Sequence, residues 1–250
     1  MAPSFEALIE EANSAPIEGW DFSWLAGRAT EERPTWGYSR LAAQAAEGVA
    51  SVLDLQTGGG ELLAGLPRLP ALTVATEVWE PNVGRAATRL RARDAWVVVA
   101  QDNELPFADG VFELVLSRHP VMTFWDEVAR VLTPGGHYLS QQIGPRSMAE
   151  VTEFLMGPQE RSSARAPEKA VAAAESAGLR VERVESAQLQ ATFVDVGAVV
   201  YFLRLVIWIV PDFTVEKYKG RLLALHRKID TEGPFVAHAA RFLIGATKPD

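Results

Sequence analysis

Apolar residues follow two rhythms along this chain. Short runs, at Val49–Leu55, Leu72–Thr76, Trp96–Ala100, Val111–Ser117 and His137–Gln142, alternate with stretches whose apolar positions recur every three or four residues. The runs predict strands, the apolar ones covered on both faces. The periodic stretches predict helices at Ser4–Glu11, Ser39–Gly48, Glu61–Leu66, Asn82–Arg93 and Phe124–Leu132. Pro16 ends the first helix, Gly48 caps the second, and Pro67 and Pro70 cut the third short. The Thr133–Gly136 turn closes the fifth. Strands and helices alternating at this pitch predict an α/β fold, a parallel sheet made by right-handed crossovers.

Beyond the fifth strand the pattern loosens. Ser147–Met156 and Pro167–Ala177 read as helices, the second capped by Gly178, and Arg180–Gln190 reads as a sixth strand with Ser186 as a point of interruption. Val194–Val210 and Val215–Lys228 follow as helices parted by Pro211 and Asp212, and Ala237–Thr247 serves as a last strand. With no internal repeat and no Gly/Ser/Pro-rich linker, residues 1–250 read as one domain. Its parts are an N-terminal lid segment (1–40), a cofactor-binding core (49–142) and a helical cap insertion after strand six (192–233). The aromatic residues Trp20, Phe22, Trp24, Trp36 and Tyr38 either fasten the N-terminal segment to the domain or wall a substrate pocket.

Charge and composition narrow the chemistry. A net charge of −8 argues against broad binding to nucleic-acid phosphates. The absence of cysteine excludes disulfides, thiolate metal sites and a cysteine nucleophile. Among His119, His137, His226 and His238 no two have metal-ligand spacing, so no metal is expected. The first residues have neither a basic n-region nor an apolar h-region. Val194–Val210 contains Asp195 and Arg204 and is shorter than the ~20 residues of a membrane span, so it reads as a packed helix. The expectation is a cytoplasmic protein without a membrane partner; its oligomeric state is open.

The stretch VLDLQTGGGELL (Val52–Leu63) runs from strand to acid to glycines to helix. Such a turn lets a ligand approach the backbone closely while the helix aims free N–H groups at it, as in nucleotide-type sites. Asp54, Glu77, Asp102 and the Ser117-Arg118-His119 triplet lie at or after the ends of four successive strands. In an open parallel sheet those ends share one ligand-binding edge. Together with VATEVWEPNVGRA, VVAQDNELPFADGVFELVLS and DEVARVLTPGGHYL, these residues resemble the class I S-adenosylmethionine-dependent methyltransferases, in particular type 11-like domains, over about Val49–Gln142. The LPF segment and the Pro-Gly-Gly turn are more diagnostic than the glycines. A nicotinamide Rossmann enzyme would want a longer, uninterrupted helix after its turn.

The resemblance implies a Rossmann-like, seven-stranded, mostly parallel sheet with helices on both faces. It further implies that Asp54, Gln56, Thr57, Gly58, Gly60 and Ser117 surround the methionine end of S-adenosylmethionine, that Glu77 accepts the ribose hydroxyls, that Val78 packs on the adenine, and that Asp102 with Asn103 meets the adenine amino group. Gln56 departs from the pattern, standing where the family's first motif has its first glycine; an extended backbone and a side chain turned away would accommodate it. His119 is the candidate general base and Asp21 the second choice, while the structural reading of His119 is a cap on a helix beginning near Met122. Trp20, Trp24, Trp36, Tyr201, Arg204 and Trp208 are candidates to line the acceptor pocket, or else form a core between cap and domain. The function expected is methyl transfer to a small-molecule acceptor. The alternatives are an RNA methyltransferase, for which Arg85, Arg89, Arg91 and Arg93 form a local basic cluster, and a non-catalytic methyltransferase-like binding protein, which Gln56 keeps in view.

Overall fold

The structure is a computed structural model that describes residues 3–17, 19–160 and 162–250. In chain order the elements are α1 (Phe5–Ser14), β1 (Ala29–Glu31), α2 (Tyr38–Ala46), β2 (Ser51–Leu55), α3 (Glu61–Gly65), β3 (Leu72–Glu77), α4 (Glu80–Arg91), β4 (Trp96–Val99), β5 (Phe112–Arg118), α5 (Trp125–Val131), β6 (Leu132–Ile143), α6 (Ala149–Met156), α7 (Pro167–Ser176), β7 (Arg180–Phe193), α8 (Val196–Leu205), α9 (Val215–Glu232) and β8 (Phe235–Thr247). The strands form one sheet in the order β1-β7-β8-β6-β5-β2-β3-β4. Pairs β2/β3, β2/β5, β3/β4 and β5/β6 are parallel, and β8 runs antiparallel to β6. The sheet therefore has eight strands where seven were expected. The extra one, β1, is three residues long and pairs antiparallel with the end of β7, Ala29 opposite Phe193.

The described residues fall into two compact units. The larger comprises Pro34–Pro145, Ser163–Ala187 and Arg241–Asp250. Strands β2, β3 and β5 are buried on both faces, as unbroken apolar strands require, while the edge strand β4 leaves Trp96 and Val99 exposed. Leu53, Leu55 and Val115 point into a core shared with Val128 and Val131 of α5 and Ala174 of α7. Val52, Leu114 and Leu116, of opposite parity along the same strands, join Ala42 of α2, Leu62 and Leu63 of α3, and Leu90 of α4. α4 starts at Glu80, earlier than expected, because Pro81 suits the first turn of a helix. β6 begins at Leu132, with Thr133–Gly136 absorbed by a register shift opposite Phe112–Leu114.

The smaller unit comprises Met1–Arg33, Arg146–Ser162 and Gln188–Ala240. Its centre is α8, nearly all of whose residues are buried. The helix spans ten residues, fewer than the Val194–Val210 expected. Asp195 sets its start by accepting the Ala198 N–H at 2.9 Å as N-cap. The same carboxylate receives Arg28 Nε and Nη2, both at 2.9 Å. No described helix is long and apolar enough to cross a membrane.

Candidate active site at the strand ends

Strand order reverses direction around β2, which has β3 on one side and β5 on the other. That is the switch point at which ligands bind in open parallel sheets. Asp54, one residue from the end of β2, is buried; its Oδ2 accepts the Thr57 hydroxyl at 2.6 Å. Its Oδ1 is buried without a hydrogen-bond partner among the described residues. Burial pushes the Asp54 carboxyl up to about 7, against the pull of the Thr57 hydrogen bond and the Arg118 charge.

The glycine turn is anchored to the neighbouring strand. Thr57 N–H donates to Thr76 O at 2.9 Å, and Gly58 N–H donates to Glu77 Oε2 at 2.9 Å. Gly58 and Gly60 have φ of +63° and +79°, and a Cβ on Gly60 would stand 3.0 Å from Leu90 Cγ. A side chain there meets both backbone strain and a packed helix. Gln56 shares the left-handed conformation, with φ +53°, so its backbone is not extended as expected. Its side chain crosses to the loop after β5: Nε2 donates to Met122 O at 2.8 Å and Oε1 accepts Val121 N–H at 2.7 Å.

Glu77 is buried and well supplied with donors. Oε1 accepts Val78 and Trp79 N–H at 2.9 Å each, and Oε2 adds Asn82 Nδ2 at 3.4 Å to the Gly58 amide. Asp102 Oδ1 accepts the Thr76 hydroxyl at 3.2 Å, and that hydroxyl oxygen in turn accepts Gln56 N–H at 3.4 Å. Burial raises the Asp102 carboxyl, while hydrogen bonds from Gln56 and Thr76 oppose the rise. Val78 is 51% exposed, and Asn103 is exposed beside Asp102. The larger unit thus brings Asp54, Gln56, Thr57, Gly58, Glu77 and Asp102 into one connected network. Thr76, which links three of them, escaped the sequence reading; its signal is a polar side chain in an apolar strand just before the terminal acid.

Near the end of β5 Ser117 is buried, and just beyond the strand His119 has a left-handed backbone with φ +57°. Trp36 Nε1 donates to Gln141 Oε1 at 2.8 Å, so Gln141 turns its Nε2 toward His119 Nε2, also at 2.8 Å. An indole N–H is a donor only, and an amide nitrogen likewise, so His119 Nε2 must accept and the ring proton sits on Nδ1. Burial, then the charges of Arg241 and Arg118, push the His119 imidazole down to about 3. His119 does not cap a helix: α5 begins at Trp125, capped by Phe124 without a side-chain bond.

The remaining candidates lie in the smaller unit. Trp24 stacks on Tyr201 with centroids 4.6 Å apart and carries the Arg28 guanidinium over its ring, 3.9 Å from the centroid. The Tyr201 hydroxyl meets the carbonyls of Asp21 at 3.1 Å and Pro16 at 3.2 Å. Arg204 Nη1 donates to Ala15 O at 3.0 Å and also to Ala12 O, carbonyls left free at the end of α1. Trp20 stacks with Phe22 and meets Trp208 edge-on at 5.5 Å. The Asp21 carboxylate accepts Ser23 N–H at 2.9 Å, where the 3-10 turn Ser23–Leu25 begins.

Residues 53–140 match the family model described as a methyltransferase domain. A Bacillus halodurans C-125 protein assigned as a methyltransferase is 21% identical with a TM-score of 0.62, over 86% of this chain and 100% of its own. YcgJ of Bacillus subtilis is 16% identical with a TM-score of 0.59, over 85% and 98%. Geranyl diphosphate methyltransferase, solved with S-adenosylmethionine, is 13% identical with a TM-score of 0.51, over 84% of each chain. No curated protein matches the sequence. At such identities the structural likeness is one of fold, and the domain match is confined to residues 53–140. Residues 53–140 are thus similar to a methyltransferase domain, and the chain shares the fold of these solved proteins.

Proposed function

We propose that this chain transfers a methyl group from S-adenosylmethionine to a small organic acceptor, with the cofactor seated at the ends of β2, β3 and β4. The observation that carries the reading is the buried, unpartnered Asp54 Oδ1 beside a turn of positive-φ glycines. A buried carboxylate oxygen without a donor is costly unless something completes it, and the methionine ammonium group suits it. The residues at the other strand ends fit the rest of the cofactor. The four acceptor sites of the Glu77 carboxylate hold Val78, Trp79, Gly58 and Asn82. The Asn82 bond, at 3.4 Å, is the longest and the one a ribose hydroxyl would replace. Val78 offers an exposed apolar face to an adenine ring, and Asp102 an acceptor to its amino group.

When bound, the cofactor supplies a methyl group already activated on a sulfonium. The chain's own task is to bind, to align the acceptor opposite the sulfur and to exclude water. His119 serves that task as a fixed neutral wall residue, since its Nε2 lone pair already receives the Gln141 amide. Val121, Met122 and Phe124 expose apolar side chains on the loop after β5, which favours an apolar acceptor.

Calorimetric titration with S-adenosylhomocysteine, the demethylated product, tests the cofactor half of this reading. Saturable binding is expected, weakened at least tenfold in Glu77→Ala, which removes a charged acceptor worth about 1.5–3 kcal/mol. No binding to the wild type would reject enzymatic use of the cofactor. Equal affinity in Glu77→Ala would reject its ribose role.

A further inference from the structure

Gln56 has two features that cofactor binding leaves unexplained. Its φ of +53° is a conformation that glycine adopts freely and a side chain resists. Yet both ends of its side-chain amide are bonded, at 2.8 and 2.7 Å, to the backbone of Met122 and Val121. A glycine would relieve the backbone and make neither bond. The strained conformation therefore accompanies a two-point link between the glycine turn and the loop after β5.

That loop, residues 119–124, is tied at both ends and in its middle. His119 N–H donates to Gln141 O at 2.7 Å, and Gln142 Nε2 donates to Thr123 Oγ1 at 3.1 Å, fastening its two sides to β6. The Gln56 amide fastens its middle to the turn. Between these ties Val121 and Met122 are 69% and 61% exposed, large apolar side chains carried by a backbone that is held from beneath.

We propose that Gln56 is a positioning residue whose amide clasps the Val121–Met122 loop, so that a ligand ordering the glycine turn also orders an apolar lip against which the acceptor packs. This rests on the reading that the cofactor binds at the turn. Ligand binding raises the free energy of local opening for whatever segments share the bound conformation. The clasp puts the loop among those segments, although it lies 66 residues further along the chain.

Amide hydrogen exchange tests the clasp and the coupling separately. Gln56→Gly suits the left-handed backbone and removes both bonds, so it folds while losing the clasp. Gln56→Glu keeps an acceptor for Val121 N–H but sets a carboxylate against the Met122 carbonyl, and provides a second variant. Without ligand, exchange of the Val121 amide should speed up about three- to tenfold in Gln56→Gly, as expected for one lost hydrogen bond. It should rise less in Gln56→Glu. Adding S-adenosylhomocysteine to the wild type should slow exchange at both 54–60 and 119–124; in Gln56→Gly only 54–60 should slow. An unchanged Val121 rate in the ligand-free glycine variant overturns the clasp. Equal ligand-induced slowing of the loop in wild type and variant overturns the coupling. If the wild type does not bind the product at all, the cofactor reading falls and the coupling with it, a result distinct from failure of the ligand-free comparison.

Discussion

A carboxyl group that titrates near pH 7 is a sensitive reporter, and Asp54 is such a group. Its folded pKa lies above the ordinary carboxylate value of 3.8, so between about pH 4 and 7 the folded chain holds a proton that the unfolded chain has released. For this group, acidification through that window favours the folded state, and a rise through 7 withdraws that contribution. Binding an ammonium group asks for the opposite, the ionised form. Affinity for S-adenosylhomocysteine should therefore fall about tenfold between pH 8 and pH 6, following the ionised fraction. Asp54→Asn should bind more weakly at pH 8 and vary little with pH. Calorimetry across that range decides, and an equally steep profile in the variant would remove Asp54 from the ligand. His119 makes the converse case. With its lone pair engaged and its pKa pushed down to about 3, it stays neutral at any working pH. His119→Ala should leave product binding intact and lower methyl transfer by no more than about tenfold, whereas loss of a general base costs about 10²–10⁴. A loss on the larger scale would restore His119 as the base.

Helix α2 reaches into the sheet through Tyr38. Ser117 N–H donates to its Oη at 3.2 Å, and its own O–H faces the carbonyls of Ser117 at 2.9 Å and Leu139 at 3.0 Å. The phenol thereby bridges β5 and β6 where both approach the ligand edge. Tyr38→Phe leaves a buried N–H without its acceptor, which costs about 1–3 kcal/mol. Urea unfolding should show a lower midpoint with an unchanged slope; an unchanged midpoint would mean that the bridge contributes nothing net. This bridge also marks where the sequence stops being legible. Strands β2, β3 and β5 and their helices could be read because each apolar run buries both faces, a constraint written locally in residue type; β4 shows an equally apolar run although Trp96 and Val99 are exposed at the sheet edge. The acids at the strand ends could be read because the sheet's topology gathers them. β1 could not, since Ala29-Thr30-Glu31 has no alternation and owes its strand form to pairing with Ala191–Phe193. The Gln56 clasp, the Trp36–Gln141 bond and the Tyr38 bridge join residues 65 to 105 positions apart, and no local pattern announces such pairs. Gln56 was legible as a departure from a glycine motif; the partners of its amide were not.

The charge of the chain and the use made of its arginines bear on the acceptor. Nucleic-acid binding needs cations free to meet phosphates, and the candidate patch on α4 and the residues after it is partly committed elsewhere. Arg93 donates to the carbonyls of Ala64 and Leu66 at 2.7 Å each, closing the end of α3. Arg89 bonds Glu61 at 2.5 Å and also the Gly59 carbonyl, bracing the glycine turn. Two of the four arginines at 85, 89, 91 and 93 thus hold the glycine turn and the end of α3 in place, on a chain whose net charge is −8. Incubation with methyl-labelled S-adenosylmethionine and fractionated cell extract should accordingly place label in small organic molecules, and ribonuclease should not release it. The apparent acceptor affinity should change little between about 50 and 200 mM salt. A protein that neutralises six or more phosphates loses about 10³–10⁵ in affinity over that interval. Label confined to RNA, together with so steep a salt dependence, would reassign the acceptor and make the committed arginines the first residues to re-examine.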